Sequence, residues 1–334
     1  MISSKLSDDT PNTCTATRNK YMNWKTRITE MMGIQYPIVE GAMVGVGTVD
    51  LAAAISEAGG LGMLNAWMLR KPERLRKAIH KARSLTSKPF AVNFSPTMDK
   101  TLLPMLDVAI DEKVPVIETA ASRAIDFGER IKDAGLIWIH KAYTLKHALK
   151  SEQDGADAVV MMGVEGAGLK NPTMLTTLVT ISLAARKLTI PIIAAGGIGD
   201  ARTFLGALAL GAEAVTMGSV FCAVEECPLA DHRKQALVEA DPYDPRWRDP
   251  VLMTPKLATL KKAVESTGTK DVLKAVAEAE DFGFPKEAGT GAVSLAIGFI
   301  DEVLTAKELI DKIIGEAEEI LVSGGIGGWR LVSK

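Results

Sequence analysis

The feature that most constrains the fold of this chain is a series of eight short apolar runs separated by longer segments with helical spacing. Most of the runs are apolar throughout, which is the pattern of strands covered on both faces of a parallel sheet. Between them apolar residues recur three and four apart, as Leu51, Ala54, Ile55 and Ala58 do. A strand followed by a helix, repeated eight times, predicts a single α/β fold, the (β/α)8 or TIM barrel. The predicted strands are Pro37–Val39, Gly62–Asn65, Phe90–Phe94, Val116–Thr119, Ile137–Lys141, Ala158–Met162, Ile192–Ala195 and Ala214–Met217.

The other segments predict additions to that barrel, which we assign to residues 26–222 and 290–322. Residues 1–25 are polar and predict a loose N-terminal tail. Residues 223–289 are rich in proline and carry helical stretches at Lys256–Ser266 and Asp271–Glu280, which indicates a helical insertion, either a lid beside the barrel mouth or an oligomer contact. A homodimer is therefore left open. A helix is predicted over Thr305–Leu321, followed by a flexible, glycine-rich tail over 323–334.

Composition narrows the classes of function. The net charge is -2, with 39 basic and 41 acidic residues interspersed, so no nucleic-acid partner is expected. No apolar run is long enough to span a membrane, and the N-terminus lacks the apolar core of a signal peptide. The three cysteines contain no CxxC pair, so no metal site is expected. Cys222 and Cys227 are near enough in sequence to bridge, but free thiols in a cytoplasmic protein are the expectation.

Two glycine-containing segments follow the seventh and eighth predicted strands. Gly196 and Gly197 allow backbone amides to approach an anion closely, and the helix expected from about Ala201 would point its N-terminus at the same place. The second segment is Thr216-Met217-Gly218-Ser219, in which Ser219 adds a hydroxyl. Because many barrels hold a phosphate on the loops after these two strands, the order of the segments predicts a phosphate site. Tight turns without a ligand are the alternative.

Polar residues at other strand ends predict further parts of a site at the barrel mouth. Asn93 lies near the end of the third strand, and Lys141 at the mouth would suit an electron-rich flavin ring. The alternative for Lys141 is a salt-bridged lysine at the rim of the barrel. Alternation turns His140 away from the side that Lys141 faces, so we expect a packed histidine. Glu165 follows the sixth strand, and two roles are open for it: a general acid or base, or a carboxylate that caps a loop.

With these residues in view, the chain resembles the nitronate monooxygenase family, also called the 2-nitropropane dioxygenase-like flavoproteins, which includes flavin-dependent enoyl reductases. The segments that carry the resemblance are Tyr36–Met43, Ala58–Gly62, Lys88–Asn93, Gly155–Val159, Pro191–Asp200 and Leu208–Ser219. The resemblance implies non-covalently bound FMN, with NAD(P)H as a candidate electron donor. It implies flavin contacts from Ala42, Met43, Asn93, Lys141 and Gly168. It also implies a phosphate site at Gly197 and at Thr216, Met217, Gly218 and Ser219.

The chain departs from the family pattern at the residue on which nitronate oxidation usually depends. Leu169 stands where those enzymes carry a catalytic histidine, and a leucine side chain cannot transfer a proton. We therefore expect an oxidoreductase that reduces, dehydrogenates or isomerises an activated alkene or an acyl thioester, with Glu165, Lys141 or Lys170 as the catalytic proton donor. The alternatives are a nitronate monooxygenase using oxygen, a non-catalytic flavin-binding subunit, and a flavin-free barrel enzyme acting on a sugar phosphate.

Overall fold

The computed structural model describes residues 23–95, 102–120, 123–168, 173–248 and 293–323. Eight parallel strands form one sheet in the order β1-β8-β7-β6-β5-β4-β3-β2, and every strand is buried or nearly so along its whole length. The predicted barrel is confirmed, and each predicted strand is present with bounds that differ by no more than one residue. The strands are β1 Ile38–Glu40, β2 Gly62–Asn65, β3 Phe90–Phe94, β4 Val116–Ala120, β5 Ile137–Ala142, β6 Ala158–Met162, β7 Ile192–Ala195 and β8 Ala214–Met217.

The barrel closes where β1 meets β2. Leu61 forms a parallel bridge with Val39, its N–H donates to the Ile38 carbonyl at 2.9 Å, and its carbonyl accepts the Glu40 N–H at 2.8 Å. A third contact comes from a side chain, because the Met63 N–H donates to Glu40 Oε2 at 2.8 Å. We call these contacts the β1–β2 seam.

Helices follow the strands and cover the outside of the barrel. They form where apolar residues recur with helical spacing, and most begin at a residue that accepts an N–H of the first turn, such as Thr48 or Thr144. The helices are α1 Arg27–Met32, α2 Val49–Glu57, α3 Ala66–Leu69, α4 Pro72–Leu85, α5 Leu103–Asp111, α6 Ile125–Asp133, α7 Leu145–Gln153, α8 Thr177–Ala185, α9 Ala201–Ala209, α10 Asp231–Val238 and α11 Ala306–Val322. Within the described residues, 3-10 helices are present at Ser219–Ala223 and Leu295–Phe299.

The short helix α1 closes the amino-terminal end of the barrel. Its residues Ile28 and Met32 belong to the same buried cluster as the inward-facing strand residues. The Arg27 guanidinium binds the carboxylate of Glu213, just before β8, and donates to the carbonyl of Thr189, just before β7, at 2.6 Å. With this end filled, the carboxyl end of the barrel is the one that stays open for a ligand.

The predicted boundary between the N-terminal tail and the barrel differs from the structure at Trp24. Trp24, assigned to the loose tail, is buried against Phe204 and donates its indole N–H to Glu318 of α11 at 3.0 Å. Large aromatic side chains contribute much apolar surface to a core, which is why this residue packs although its neighbours in sequence are polar. The predicted helix over Thr305–Leu321 is confirmed, beginning after Thr305. The two helical stretches predicted in the insertion, and the tail from residue 324, lie outside the described residues.

Candidate active site at the carboxyl end of the barrel

The two glycine loops are neighbours in space, because Ala195 of β7 pairs with Thr216 of β8. Gly196 has φ +101° and Gly197 has φ +69°, values in the left-handed region that favours glycine. The loop after β8 passes through Gly218 directly into the 3-10 helix Ser219–Ala223. Adjacent loops after these strands, with a short extra helix, are the usual phosphate site of this fold. The structure thus brings the predicted loops together, while the anion itself stays a prediction.

Thr216 contributes an unused hydroxyl at this place. Its side chain is buried, and its Oγ1 has no hydrogen-bond partner among the residues that the structure describes. Gly41 lies against it, so that a Cβ atom on Gly41 would sit 3.4 Å from the Thr216 methyl. An unpartnered buried hydroxyl costs about 1–3 kcal/mol, and a ligand oxygen that accepts its proton removes that cost. The residues present therefore fit an oxygen-rich anionic group such as a phosphate.

The helix after β7 does not offer an open N-terminus to this site, contrary to the sequence-based expectation. α9 begins after Asp200, whose Oδ1 accepts the Thr203 N–H at 2.8 Å in a reciprocal capping box. The Asp200 carboxylate already occupies the helix end, and its negative charge opposes a second anion there. The glycine loops and the 3-10 helix remain as the candidate anion-binding backbone.

Ser219 is held by a part of the chain that sequence reasoning did not connect with it. Its buried Oγ accepts the Ser294 N–H at 2.6 Å and lies 3.0 Å from Ser294 Oγ. The next residue, Leu295, donates its N–H to the carbonyl of Glu165 at 2.9 Å. The segment that returns after the insertion thus packs on the loops after β6 and β8. An oxygen that accepts in this way can still donate its own proton, so the predicted role of Ser219 stays a prediction.

Four polar side chains line the inside of the barrel near its open end. They are Asn65, Asn93, Glu118 and Lys141, on β2 to β5, each two residues beyond an inward-facing core position of its own strand. Asn93 pairs with both neighbours in register, Asn65 and Glu118, and its Nδ2 donates to Glu118 Oε1 at 2.7 Å. The candidate residues Asn93 and Lys141 are thus part of one polar layer.

Glu118 and Lys141 are electrostatically coupled. Burial raises the pKa of the Glu118 carboxyl, and the Lys141 ammonium and the Asn93 hydrogen bond offset part of that rise. Burial likewise lowers the pKa of Lys141, and Glu118 offsets part of that fall. Both shifts favour the neutral forms, so a proton can pass to or from this pair at lower cost than for the same groups in water.

Glu118 was missed in the sequence although a signal was present. It is the one charged residue in the apolar run Val116–Thr119, at the same level as Asn93 on the neighbouring strand. A charged residue in a strand buried on both faces needs a buried partner, and in a barrel the open end supplies one.

His140 is packed outside the barrel, as alternation predicted. Its Nδ1 lies 2.8 Å from Thr119 Oγ1, which also accepts the Trp138 indole N–H at 2.8 Å. Thr119 Oγ1 also lies 3.5 Å from the Ile139 carbonyl oxygen, to which it can donate, so Nδ1 can either donate to this hydroxyl or accept from it, according to the tautomer of the ring. Burial lowers the pKa of His140 to about 4, so it is neutral at pH 7.

Glu165 makes the contacts of the capping alternative. Its carboxylate accepts the Thr177 N–H at 2.9 Å and the Thr177 hydroxyl at 3.0 Å, at the start of α8. The same hydroxyl lies 2.8 Å from the Gly196 carbonyl, so Glu165 and Thr177 together hold the loop after β7. Gly168 has φ +80°, and a Cβ atom placed on it would meet no atom of the described residues within 4 Å. Lys170 and Leu169 lie outside the described residues.

The loop after β1 lies beside the loop after β8. Ala42 and Met43 are both half-buried, and the Met43 Sδ would lie 3.6 Å from a Cβ atom placed on Gly218. Met217 is buried in the layer between strands and helices, so its contribution to a ligand site is through its backbone, which is hydrogen-bonded to Gly41 N at 2.7 Å. The predicted flavin contacts Ala42 and Met43 are thus next to the predicted phosphate loops.

Other classes of site find no support in the part of the chain that the structure describes. In those ranges there is no cluster of three or more histidine, cysteine or acidic side chains arranged to hold a metal. Nor does any helix there have the length and apolar character needed to cross a membrane.

The fold and the site define the class of this protein: a (β/α)8 barrel with glycine loops after β7 and β8 and a buried acid–lysine pair at its open end. The family model for nitronate monooxygenase matches residues 25–245. The chain belongs to the nitronate monooxygenase family, as the sequence resemblance implied. Membership of this family supports a flavin as the cofactor.

Individual relatives carry different names. The chain is 37% identical, over 211 residues, to (3aS,4S,5R,7aS)-5-hydroxy-7a-methyl-1-oxo-octahydro-1H-indene-4-carboxyl-CoA dehydrogenase from Rhodococcus jostii (strain RHA1), a match that covers 63% of this chain and 58% of that protein. It is 31% identical to a probable nitronate monooxygenase of Staphylococcus aureus (strain JH9), covering 66% and 74%. Among solved structures, FabK from Thermotoga maritima has a TM-score of 0.76 and 33% identity, covering 90% of this chain and 98% of that one. The match thus spans less than two thirds of the Rhodococcus relative.

Proposed function

We propose that this protein is an FMN-dependent oxidoreductase that acts on an activated alkene or an acyl thioester, by reduction, dehydrogenation or isomerisation. The observation that carries the proposal is the buried Glu118–Lys141 pair, which faces the same open end of the barrel as the glycine loops. It supplies a proton-transfer group to a chain that has Leu169 in place of the family histidine. The carboxyl-CoA dehydrogenase name of the Rhodococcus relative supports a thioester substrate.

FMN fits the site better than a flavin without a terminal phosphate. Its phosphate would accept the unused Thr216 hydroxyl proton and the backbone N–H groups of Gly197, Gly218 and Ser219. Ala42, Met43, Asn93 and Gly168 would contact the remainder of the molecule. A bound flavin supplies the hydride or electron transfer that side chains cannot.

Lys141 has two tasks in this proposal. Its positive charge lies at the open end, where it stabilises negative charge that develops on a bound ring or on the carbonyl oxygen of a thioester. Its lowered pKa also makes the ammonium a better proton donor than a lysine in water. Glu118, hydrogen-bonded to Asn93, offsets part of the fall in the pKa of Lys141 that burial causes, and it receives or returns the proton.

Glu165 and Lys170 were the other candidates for proton transfer. The contacts of Glu165 with Thr177 support a positioning role for its carboxylate, which fixes the loop that carries Gly196 and Gly197. Lys170 lies two residues after Gly168 in the sequence and stays a candidate donor.

The second candidate function is nitronate oxidation with oxygen. Its support is the name of the matching family model and that of the Staphylococcus relative. It requires a substrate that is already deprotonated, because Leu169 cannot remove a proton.

The experiment begins with the absorption spectrum of the purified protein and chromatographic identification of the released flavin. Anaerobic reduction with NADH and with NADPH, followed by addition of an enoyl thioester, tests for the proposed activity. Oxygen uptake with a nitronate tests the second function. Reoxidation by the thioester is the expected result. A flavin that only the nitronate and oxygen turn over would overturn the proposal, and a colourless protein would remove both functions.

A further inference from the structure

A short helix continues outward from the polar layer of the barrel. α3 begins directly after Asn65, which is the last residue of β2 and a member of that layer. The Asn65 Oδ1 accepts the Trp67 N–H at 3.1 Å, and this bond fixes the tryptophan two residues beyond the layer. Because parallel barrel strands all end at the same edge, α3 lies at the rim of the open end. Trp67 is half-buried there, and Met68 beside it is 37% exposed.

Trp67 and Arg70 form a stacked pair at this rim. The Arg70 Cζ lies 5.6 Å from the centroid of the indole, within the range of a cation–π interaction. The indole and the guanidinium are both flat, and proteins stack nucleobases on both kinds of surface. Arg70 is exposed, and its guanidinium forms no hydrogen bond or ion pair with the described residues. Its N–H groups are therefore available to a ligand.

The backbone of Arg70 is in a conformation that favours glycine. Its φ is +60°, and its N–H ends α3 by donating to the Ala66 carbonyl at 3.2 Å. Side-chain-bearing residues in this left-handed region cluster at functional sites. Lys113, with φ +50° in the turn between α5 and β4, shows that such strain alone does not mark a site. What distinguishes Arg70 is its contact with Trp67 at the open end.

The next residues add positive charge to the same rim. Lys71 precedes α4 and Arg74 lies in its first turn; both are exposed, and neither forms an ion pair with the described residues. Glu73, in the same turn, offsets one of the three positive charges. The whole chain has a net charge of -2, so this positive cluster is a local feature. We call the following four residues the rim patch: Trp67, Arg70, Lys71 and Arg74.

The remainder of α4 gives a contrast. Arg76, Lys81 and Arg83 each form an ion pair with a carboxylate from a segment next to α4. Lys77 is exposed and has no such partner in the described part of the chain, but it stands alone and further from the rim. The rim patch differs because its three cations are close in sequence and adjoin an aromatic ring. This combination suits a ligand that carries both phosphates and a nucleobase.

We propose that the rim patch binds the phosphorylated adenosine of a coenzyme A thioester. This inference rests on the proposed function and names the thioester. Coenzyme A carries adenine and three phosphate groups at one end and its sulfur at the other, with the pantetheine arm between them. Adenine suits the flat Trp67–Arg70 pair, and guanidinium groups bind phosphate oxygens through paired N–H donors. The arm then runs from the rim after β2 towards the Glu118–Lys141 pair on β4 and β5.

Other candidate ligands match the rim patch less well or are separable from coenzyme A by experiment. A nitronate has neither adenine nor phosphate, and a thioester on a carrier protein brings a phosphate without adenine. NADPH shares the adenine and the three phosphates of coenzyme A, whereas NADH has the diphosphate alone. Coenzyme A differs from both by its pantetheine arm, so binding experiments can distinguish these sources of the same chemistry.

The first test measures binding to the protein as purified, by isothermal titration calorimetry and with no acyl group present. Coenzyme A, 3′-dephospho-coenzyme A and pantetheine are titrated at low and at high salt. We expect coenzyme A to bind about tenfold more tightly than its dephospho form, which lacks one charged phosphate contact. Coenzyme A should bind more weakly at high salt, and pantetheine should be the weakest ligand. Equal affinities for all three compounds, or no binding of coenzyme A, would overturn the proposal.

The second test uses two matched glycine variants. Arg70→Gly and Lys113→Gly each remove an exposed positive charge from a residue with positive φ, but only Arg70 lies at the rim. We expect the coenzyme A affinity to fall about tenfold in Arg70→Gly and to stay unchanged in Lys113→Gly. Trp67→Leu should lower it by a similar factor, because the stacking surface is lost. If Trp67→Leu does not fold, the two glycine variants still decide.

Three results of the variant experiments would count against the rim patch. Equal losses in both glycine variants would indicate a general effect of charge. Wild-type affinity in both Arg70→Gly and Trp67→Leu would place coenzyme A elsewhere. If NADPH binds more tightly than coenzyme A and loses affinity in these variants, the patch belongs to the electron donor instead. Each of these outcomes overturns the proposal.

The rim patch and the proposed function can fail separately. If coenzyme A binds as expected and no thioester reoxidises the reduced flavin, the proposed function fails and the rim patch stands. If enoyl thioesters of coenzyme A and of pantetheine reoxidise the flavin with the same kcat/KM, the proposed function stands and the rim patch falls. A higher KM for the coenzyme A thioester in Arg70→Gly, with no such rise in Lys113→Gly, supports both.

Discussion

Exchange of Gly197 for aspartate tests the anion site most directly. Gly197 has φ +69°, and a Cβ atom there would lie 3.1 Å from Glu165 Cβ, at the edge of the candidate phosphate loop. Gly135, in the turn between α6 and β5 at the opposite end of the barrel, has φ +70° and open space around it. The same substitution at both positions therefore carries a similar backbone cost, about 1–2 kcal/mol for a residue with a side chain.

The two variants differ in charge at the site. A carboxylate about 5 Å from a phosphate costs about 3 kcal/mol per pair of unit charges at an effective dielectric constant of about 20. That energy corresponds to a loss of about a hundredfold in FMN affinity. We expect this loss in Gly197→Asp and an affinity close to that of the wild type in Gly135→Asp.

The assay is a fluorescence titration of the apoprotein with FMN, with urea unfolding of the same samples as the measure of stability. The expected pattern is a loss of stability in both variants, larger in Gly197→Asp because of its close contact with Glu165, and a loss of affinity confined to Gly197→Asp. The argument for the phosphate position is refuted if Gly197→Asp binds FMN at wild-type stoichiometry and affinity, or if both variants lose it equally.

Three further predictions follow from buried polar groups. Thr216→Val removes an unpartnered hydroxyl, so the apoprotein should be as stable as the wild type or about 1 kcal/mol more stable in urea. FMN affinity should nevertheless fall. A loss of apoprotein stability as large as the loss of FMN binding energy would contradict this. Glu118→Gln removes the charge that raises the pKa of Lys141, so the basic limb of the kcat/KM profile should move to lower pH; an unchanged limb would separate Lys141 from catalysis. The pKa of Glu40 rises on folding from 4.5 to about 8, so the native chain holds a proton that the unfolded chain has released between those values. The free energy of unfolding should therefore fall with rising pH across that window by up to about 1.4 kcal/mol per pH unit, and Glu40→Gln should flatten this dependence in urea titrations.

The strands were predictable from sequence because parallel barrel strands are buried on both faces, so their apolar runs stand out from the helices around them. The loops around Gly197 and Gly218 were predictable for a related reason, since their places after the last two strands follow from the order of the strands. The inward position of Lys141 and the outward position of His140 followed from alternation alone.

What could not be predicted depended on contacts between distant parts of the chain. The bond from Ser294 to Ser219 joins residues on either side of the insertion, and no local pattern marks it. The pairing of Glu118 with Asn93 needed the register of two strands. Asp200 is different, because its spacing from Thr203 is a visible capping pattern that was given less weight than the glycines before it.

The β1–β2 seam gives the barrel a place at which its wall can open locally. Three hydrogen bonds hold it, and one of them depends on the Glu40 carboxyl reaching the Met63 amide. Ionisation of that carboxyl in a dry interior destabilises the closed β1–β2 seam, since the charge favours entry of water. At alkaline pH the β1–β2 seam should thus open before the rest of the barrel. Faster amide hydrogen exchange at Leu61 and Met63 would show this opening as a local event next to the loop that carries Met43.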